Sequence, residues 1–300
     1  MFGKTERNVK RLRTGGSPVT GYLMVLPAVI AVGVFMIYPI GSTVVLSFYR
    51  WPGVGERTFV GFANYVQAFS DPIARRAFMN NVFYSAGIVA NGAFVGLILA
   101  HILATGVRGR IVFQTIFFFP RLVTQVIVAV VWSWIYHPRF GLVNVILRAV
   151  GLGEFAIGWL GDPSWALPAV LVAAGWTYFG FCMVIFMAAF GSTNPDLRDA
   201  AHIDGAGPFR VFFSVIVPQI RSVIVMVVVY TIIDSFKVFD IIYMMTGGGP
   251  GDRTQIMATY LYRESFRLHS FGYGATLAVI LGLFVVAVAV LFERYRRLEE

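Results

Sequence analysis

Six apolar runs constrain this chain more than any other feature. They are Thr20–Phe48, Asn80–Ala104, Ile111–Tyr136, Trp165–Phe190, Ser222–Met245 and Phe271–Phe292. Each exceeds the about 20 residues that a helix needs to cross lipid. All are too long for strands, and in hydrocarbon a segment of this length satisfies its backbone as a closed helix. Turn and charge signals separate them: Trp51-Pro52-Gly53, the stretch from Gly106 to Arg110, Gly161-Asp162-Pro163, and Gly247-Gly248-Gly249-Pro250. Hydrophobic residues make up 58% and charged residues 13% of the 300, against about 45–50% and about 25% in ordinary soluble domains. That balance excludes a disordered chain, a nucleic-acid-binding module and most cytosolic globules. The expected fold class is all-α, a polytopic membrane protein with a tail at 1–19 and a six-helix domain at 20–300. The single cysteine, Cys182, leaves no intrachain disulfide and no cysteine-based metal site. The first run follows a basic stretch but is longer than the about 7–15 residues of a signal core. It also lacks a small-x-small cleavage site, so it reads as a retained anchor.

The net charge of +9 fits arginine and lysine held at a lipid surface. With the N-terminus inside, 13 of the 24 basic residues fall in cytosolic segments, 9 in outer loops, and Arg121 and Lys237 within spans. The inner segments are also shorter in total, so both termini are expected in the cytosol.

Catalytic machinery is scarce. His101, His137, His202 and His269 are scattered. There is no zinc-binding H-E-x-x-H, no G-x-S-x-G elbow and no G-x-x-x-x-G-K-[ST] phosphate loop. The only lysines are Lys4, Lys10 and Lys237, and none follows a glycine in such a loop. If ATP drives this protein, another chain binds it.

Ionisable residues inside a span are costly and therefore informative. Asp234, Lys237 and Asp240 lie three apart in the fifth run, close enough on a helix to pair along its surface. One reading is a self-neutralising ion pair. The other is that Tyr230, Thr231, Asp234 and Ser235 line a wet path for a polar solute. Arg121, after Pro120, reads as a snorkelling or capping residue. Phe117-Phe118-Phe119, the other aromatics, and Met183, Met187, Met244 and Met245 read as packing or lipid-facing. Asn91 and Gln125 serve either as interhelical glue or in a pathway.

Gly191–Arg221 is longer than a connection between two helices requires. Asn194 can cap a helix starting at Pro195, with Asp196 at its positive end. Gly205 can take the left-handed conformation that stops that helix. Pro208 can open a second helix through Phe213 and Ile216, and Pro218 bends the chain toward the fifth run. Ala200 and Ala201 leave this elbow a slim face. The plain alternative is a membrane-surface helix that only connects spans.

Asp199-Ala200-Ala201-x3-Gly205-x9-Val215-x-Val217-Pro218 resembles the E-A-A-x3-G-x9-I-x-L-P loop of ABC importer permeases. Ala200–Ala206 looks like the carbohydrate branch of that family. The stretch from Phe239 to Pro250 is similar to F-D-x-I-Y-x-x-T-G-G-G-P of sugar permeases, in the maltose-F-like version. Tyr38-Pro39, Phe62-Ala63-Asn64-Tyr65, Tyr260–Phe266 and Phe271–Ala275 fit the same pattern, so the resemblance covers residues 20–295. Two departures stand out: Asp199 replaces the family's glutamate, and Val215 and Val217 replace isoleucine and leucine.

The resemblance implies a type I ABC importer permease fold in a bacterial or archaeal plasma membrane. It implies a sugar or oligosaccharide substrate and three kinds of partner. These are a second related permease, two ATP-binding subunits carrying ATP and magnesium, and an extracytoplasmic solute-binding protein. Asp199, Ala200, Ala201, Gly205 and Pro218 would couple to the ATPase, with Asp199 pairing to one of its basic residues. Thr177 and Tyr178 of the fourth run would face the fifth across the solute path. A polyol or glycerol phosphate importer is the alternative within the class. A stand-alone secondary transporter would predict internal repeats, and no clear repeat relates the halves. An intramembrane enzyme would need a nucleophile–base pair, and none is evident.

Overall fold

Prolines, glycines and short polar side chains mark the helix ends in the computed structural model of the chain, which describes residues 18–299. Residues 1–17 of the expected tail, and Glu300, lie outside the described residues. The chain divides into two units. The first, Met1–Val45, contributes α1, a candidate span at Gly21–Leu46 whose apolar window has no buried residue. It widens into a π-type turn at Gly33–Ile37.

The second unit, Leu46–Glu300, opens with a hairpin of β1 (Tyr49–Arg50) and β2 (Thr58–Phe59), with Tyr49 opposite Phe59. Next come α2 (Ala63–Ser70) and α3 (Pro72–Ala104). Asp71 caps α3 by accepting from the Ile73 amide at 2.8 Å, and Pro72 follows as the first helical residue, where a missing N–H costs nothing. Then come α4 (Arg110–Leu122), α5 (Gln125–Ile135), α6 (Leu142–Ala149) and α7 (Ala166–Gly191). The chain continues through α8 (Pro195–Ile203), α9 (Pro208–Gln219), α10 (Arg221–Phe236) and α11 (Asp240–Thr246). It ends with α12 (Met257–Tyr262) and α13 (Phe271–Glu299).

The centre of this unit is α7, which packs against α3, α4, α5, α10 and α11. Lipid supplies no hydrophobic drive between helices, so close approach of small residues has to do the work. Ala169, Ala173, Ala174 and Gly175 are buried along α7. At Gly180, a Cβ would stand 1.8 Å from the carbonyl oxygen of Phe117 on α4, so the two backbones touch.

Among the described residues, four helices are long and apolar enough to cross a membrane, or up to six if each of two bent pairs is one span. The third expected span, Ile111–Tyr136, is two helices. α4 and α5 meet at 101° because Val123 and Thr124 take extended backbone (ψ 136° and 145°). Pro120 lies one turn earlier, where its missing N–H weakens the helix. The fifth, expected at Ser222–Met245, also breaks. α10 ends at Phe236, Phe239 leaves helical geometry (φ −139°), and α11 starts at Asp240. At its other end α10 is bent 75° from α9.

Candidate functional site

Both helix breaks open onto one cavity of about 650 Å³. The α4–α5 break supplies Arg121, Thr124 and Gln125, and the α10–α11 break supplies Lys237, Phe239 and Asp240. Tyr84 of α3, Tyr178 of α7 and Asp234 of α10 complete the wall. Non-helical backbone at membrane depth is tolerated where it lines protein or water, and broken helices commonly build such sites. Two cationic and two anionic side chains line the cavity, so its formal charge balances.

Asp234 is the hub. Its Oδ2 accepts from the Tyr178 hydroxyl at 2.5 Å and lies 3.7 Å from Nη2 of Arg121. The Arg121 guanidinium sits 4.8 Å over the Tyr178 ring and 4.9 Å over Phe181. The arginine is therefore anchored by a carboxylate and two ring faces. This corrects two expectations. Arg121 neither snorkels nor caps, and Asp234 does not pair with Lys237, because the helix ends between them.

Four of the expected pathway residues are placed differently from Tyr178 and Asp234. Thr231 and Ser235 are buried and donate to their own helix, to Val227 O at 2.7 Å and Ile232 O at 2.8 Å. They face packing and do not line the cavity. Thr177 is buried too, donating to Ala174 O and accepting from Gln125 Nε2 at 3.3 Å. Thr177 thus holds the glutamine that lines the cavity. Tyr230 is exposed, its ring 5.5 Å from that of Phe181. Sequence reasoning missed Tyr84 and the Arg121–Asp234 pair. A lone arginine beside a proline in an apolar run was the available signal for the latter.

The elbow forms a second constellation. Asn194 Oδ1 accepts from the Asp196 amide at 2.9 Å and so caps α8. The Asn194 amide donates to Gln219 Oε1 at 2.9 Å, tying the start of the elbow to its end. Gly205 stops α8 with φ +76°, a conformation costly for residues with a Cβ. Asp199, Ala200 and Pro218 are exposed and Ala201 is half-buried. Beside them Leu197, Ile203 and Phe209 are 51%, 87% and 82% exposed. Val211, Phe212 and Ile216 anchor the elbow from behind.

The T-G-G-G-P stretch is a structural knot. Gly247 ends α11 with φ +60°, and the Thr254 hydroxyl donates to Gly249 O at 2.7 Å. Asn80 on α3 clamps the following loop, donating to Arg253 O and Gln255 O at 2.9 and 2.7 Å. Asp71 accepts from the hydroxyls of Tyr260 and Tyr273. Burial alone would raise the Asp71 carboxyl, but these bonds and the amides of Ile73 and Ala74 hold it below its ordinary range. Among the described residues, no cluster of three His, Cys, Asp or Glu side chains is placed to hold a metal ion.

A family model described as "Binding-protein-dependent transport system inner membrane component" matches residues 92–298. The osmoprotective compounds uptake permease protein GgtC of Synechocystis sp. is 36% identical, over 89% of this chain and 95% of its own length. The trehalose/maltose transport system permease protein MalF of Thermococcus litoralis is 32% identical, over 92% and 94%. In fold, the chain is similar to a chain of a bacterial alginate ABC transporter solved with an alginate pentasaccharide-bound periplasmic protein. That likeness has a TM-score of 0.80 and 23% identity and covers 93% of this chain and 94% of that one.

Proposed function

The chain belongs to the family of binding-protein-dependent transport system inner membrane components, and from that premise we propose that it is the permease subunit of an ATP-driven importer of sugars or oligosaccharides. The observation that carries this reading is the cavity where α4–α5 and α10–α11 break. It offers fixed donors and acceptors, charges that balance, and aromatic walls at Tyr84, Tyr178 and Phe239. A neutral polyhydroxylated solute is bound by such a small set of placed polar groups against apolar surface. The trehalose/maltose relative supports the sugar. The osmoprotectant relative and the same cavity chemistry also suit a polyol.

In this reading Tyr178, Asp234, Arg121 and Gln125 handle the solute. Thr177 positions Gln125, and Tyr230, Thr231 and Ser235 support the wall from outside the cavity. The elbow docks on an ATP-binding subunit, with Asp199 meeting a basic residue there and Ala200 and Ala201 keeping the contact close. ATP and magnesium belong to that partner. Two such subunits, a second related permease and an extracytoplasmic binding protein complete the assembly, with both termini of this chain in the cytosol. ATP and the loaded binding protein shift the outside-open and inside-open states by binding them unequally.

The test is uptake in vesicles holding the whole assembly. Asp234→Ala leaves the Arg121 guanidinium without its carboxylate, and a hydrogen bond to a charged group contributes about 1.5–3 kcal/mol. Uptake should fall roughly tenfold or more while the ATPase subunits remain attached. Tyr178→Phe should give a smaller loss. Unchanged kinetics in both variants would put the solute path elsewhere.

A further inference from the structure

Six aromatic side chains outside the core form a continuous row that ends at the cavity. Trp51, after β1, lies 5.5 Å from Phe271 at the start of α13. Phe271 lies 5.6 Å from Phe266, and Phe266 lies 5.2 Å from Tyr262 of α12. Tyr262 meets Tyr243 at 5.2 Å and Phe239 at 5.4 Å. Tyr243 and Phe239 stack at 4.9 Å with 16° between their planes, and Phe239 is itself part of the cavity wall. A charged side chain stands at each end of the row. Arg57 lies 4.5 Å over the Trp51 ring, and Arg267 donates to the Tyr243 hydroxyl at 3.1 Å.

Rings that pack the core away from the cavity are buried, as Phe186 and Phe236 are. None of the six is buried, and Phe266 is 59% exposed. Aromatic belts at a membrane surface also expose rings, but such a belt has no reason to run unbroken into a polar cavity. Tyrosine and tryptophan combine a flat apolar body with a polar tip. That pairing matches a sugar ring, which has apolar C–H faces and a hydroxyl rim. Neighbouring rings lie 4.9–5.6 Å apart and are inclined to one another by 16–77°, so the row offers ring edges as well as faces to a chain of sugar units.

We infer that this row is an outer saccharide subsite, along which an oligosaccharide slides from the binding protein into the cavity. The subsite rests on the sugar-importer reading and adds a site to it. Glucose-type chains would stack on Trp51, Phe266 and Tyr262, with Arg57 and Arg267 meeting their hydroxyls. Because a longer chain covers more of the row, the subsite should matter more for tetrasaccharides than for disaccharides.

The experiment uses vesicles with the complete assembly and labelled maltose, maltotetraose, N,N′-diacetylchitobiose and N,N′,N″,N‴-tetraacetylchitotetraose. For each series that the wild type imports, the ratio of tetrasaccharide to disaccharide uptake is compared with Tyr262→Leu, Tyr262→Phe and Phe266→Leu. The ratio should fall about tenfold in both leucine variants and stay near wild type in Tyr262→Phe, which keeps the ring. An unchanged ratio in the leucine variants overturns the subsite and leaves the row as a membrane-surface belt. Loss of the second permease from either leucine variant also overturns it, making the row a subunit interface. If the wild type imports no saccharide, the sugar reading itself fails and the subsite falls with it.

Discussion

Asp71 illustrates how single residues hold this structure together. It caps α3 and receives hydroxyls from α12 and α13, so one carboxylate joins three helices. Its lowered pKa fixes the sign of a pH dependence. A depressed carboxyl contributes stability that is fully present above its ordinary value of 3.8 and is lost as pH falls through the lowered value. Asp71→Asn should therefore melt below wild type at about pH 7, by about 1 kcal/mol after solvent screening, and the gap should narrow as pH falls below 3.8 and through the lowered value. A gap constant with pH would mean that the charge on Asp71 contributes nothing. In the cavity, residue-level legibility is uneven. Asp234 is readable as a costly charge in an apolar run. Residue type alone assigns Thr231 and Ser235 to the solute path, whereas both are buried and donate to their own helix. They share a helix face with Val227 at spacings of four, and the buried state of that face follows from the period. Arg121 and Asp234 are each conspicuous as a charge in an apolar run, but they lie far apart in sequence, and only the fold brings them within 3.7 Å.

At the scale of elements, hydropathy locates the apolar runs but not the two breaks. A hydropathy window averages side chains and is blind to the extended backbone at Val123 and Thr124 or to the turn at Phe239. Those breaks open onto the cavity, so the feature on which the proposed function rests is the least visible. The elbow is more legible, because capping and helix-stopping act through single residues, Asn194 and Gly205. The α4–α7 contact makes a separate prediction. Gly180→Ala would drive a Cβ into the Phe117 carbonyl, and overpacking of this kind costs about 1–3 kcal/mol. Gly282→Ala on α13 meets nothing within 4 Å and serves as the control. Melting of the detergent-solubilised protein should drop for the first and hold for the second; equal behaviour would refute the tight α4–α7 seam.

For the whole molecule, a permease must link a solute path in the membrane to an energy source outside it. In the proposed function that link is the elbow: α9 runs into α10, bent by 75° at their junction, and Asp234 of α10 lines the cavity. A push on the exposed face around Ala200 and Ile203 therefore reaches the cavity wall through one continuous stretch of chain. Gly205 sits at the corner with φ +76°, and a Cβ there would meet nothing within 4 Å, so a substitution strains the backbone without a clash. That makes Gly205→Val the most direct test, paired with Asp199→Ala and read out as ATP-driven sugar uptake in vesicles holding the complete assembly. Uptake should fall at least tenfold in Gly205→Val, given about 1–2 kcal/mol of backbone strain and the loss of a fitted docking face. The ATPase subunits should bind more weakly or hydrolyse ATP without transport. Normal uptake, normal ATPase attachment and normal stimulation by loaded binding protein in both variants would contradict the account and leave the elbow a mere connector.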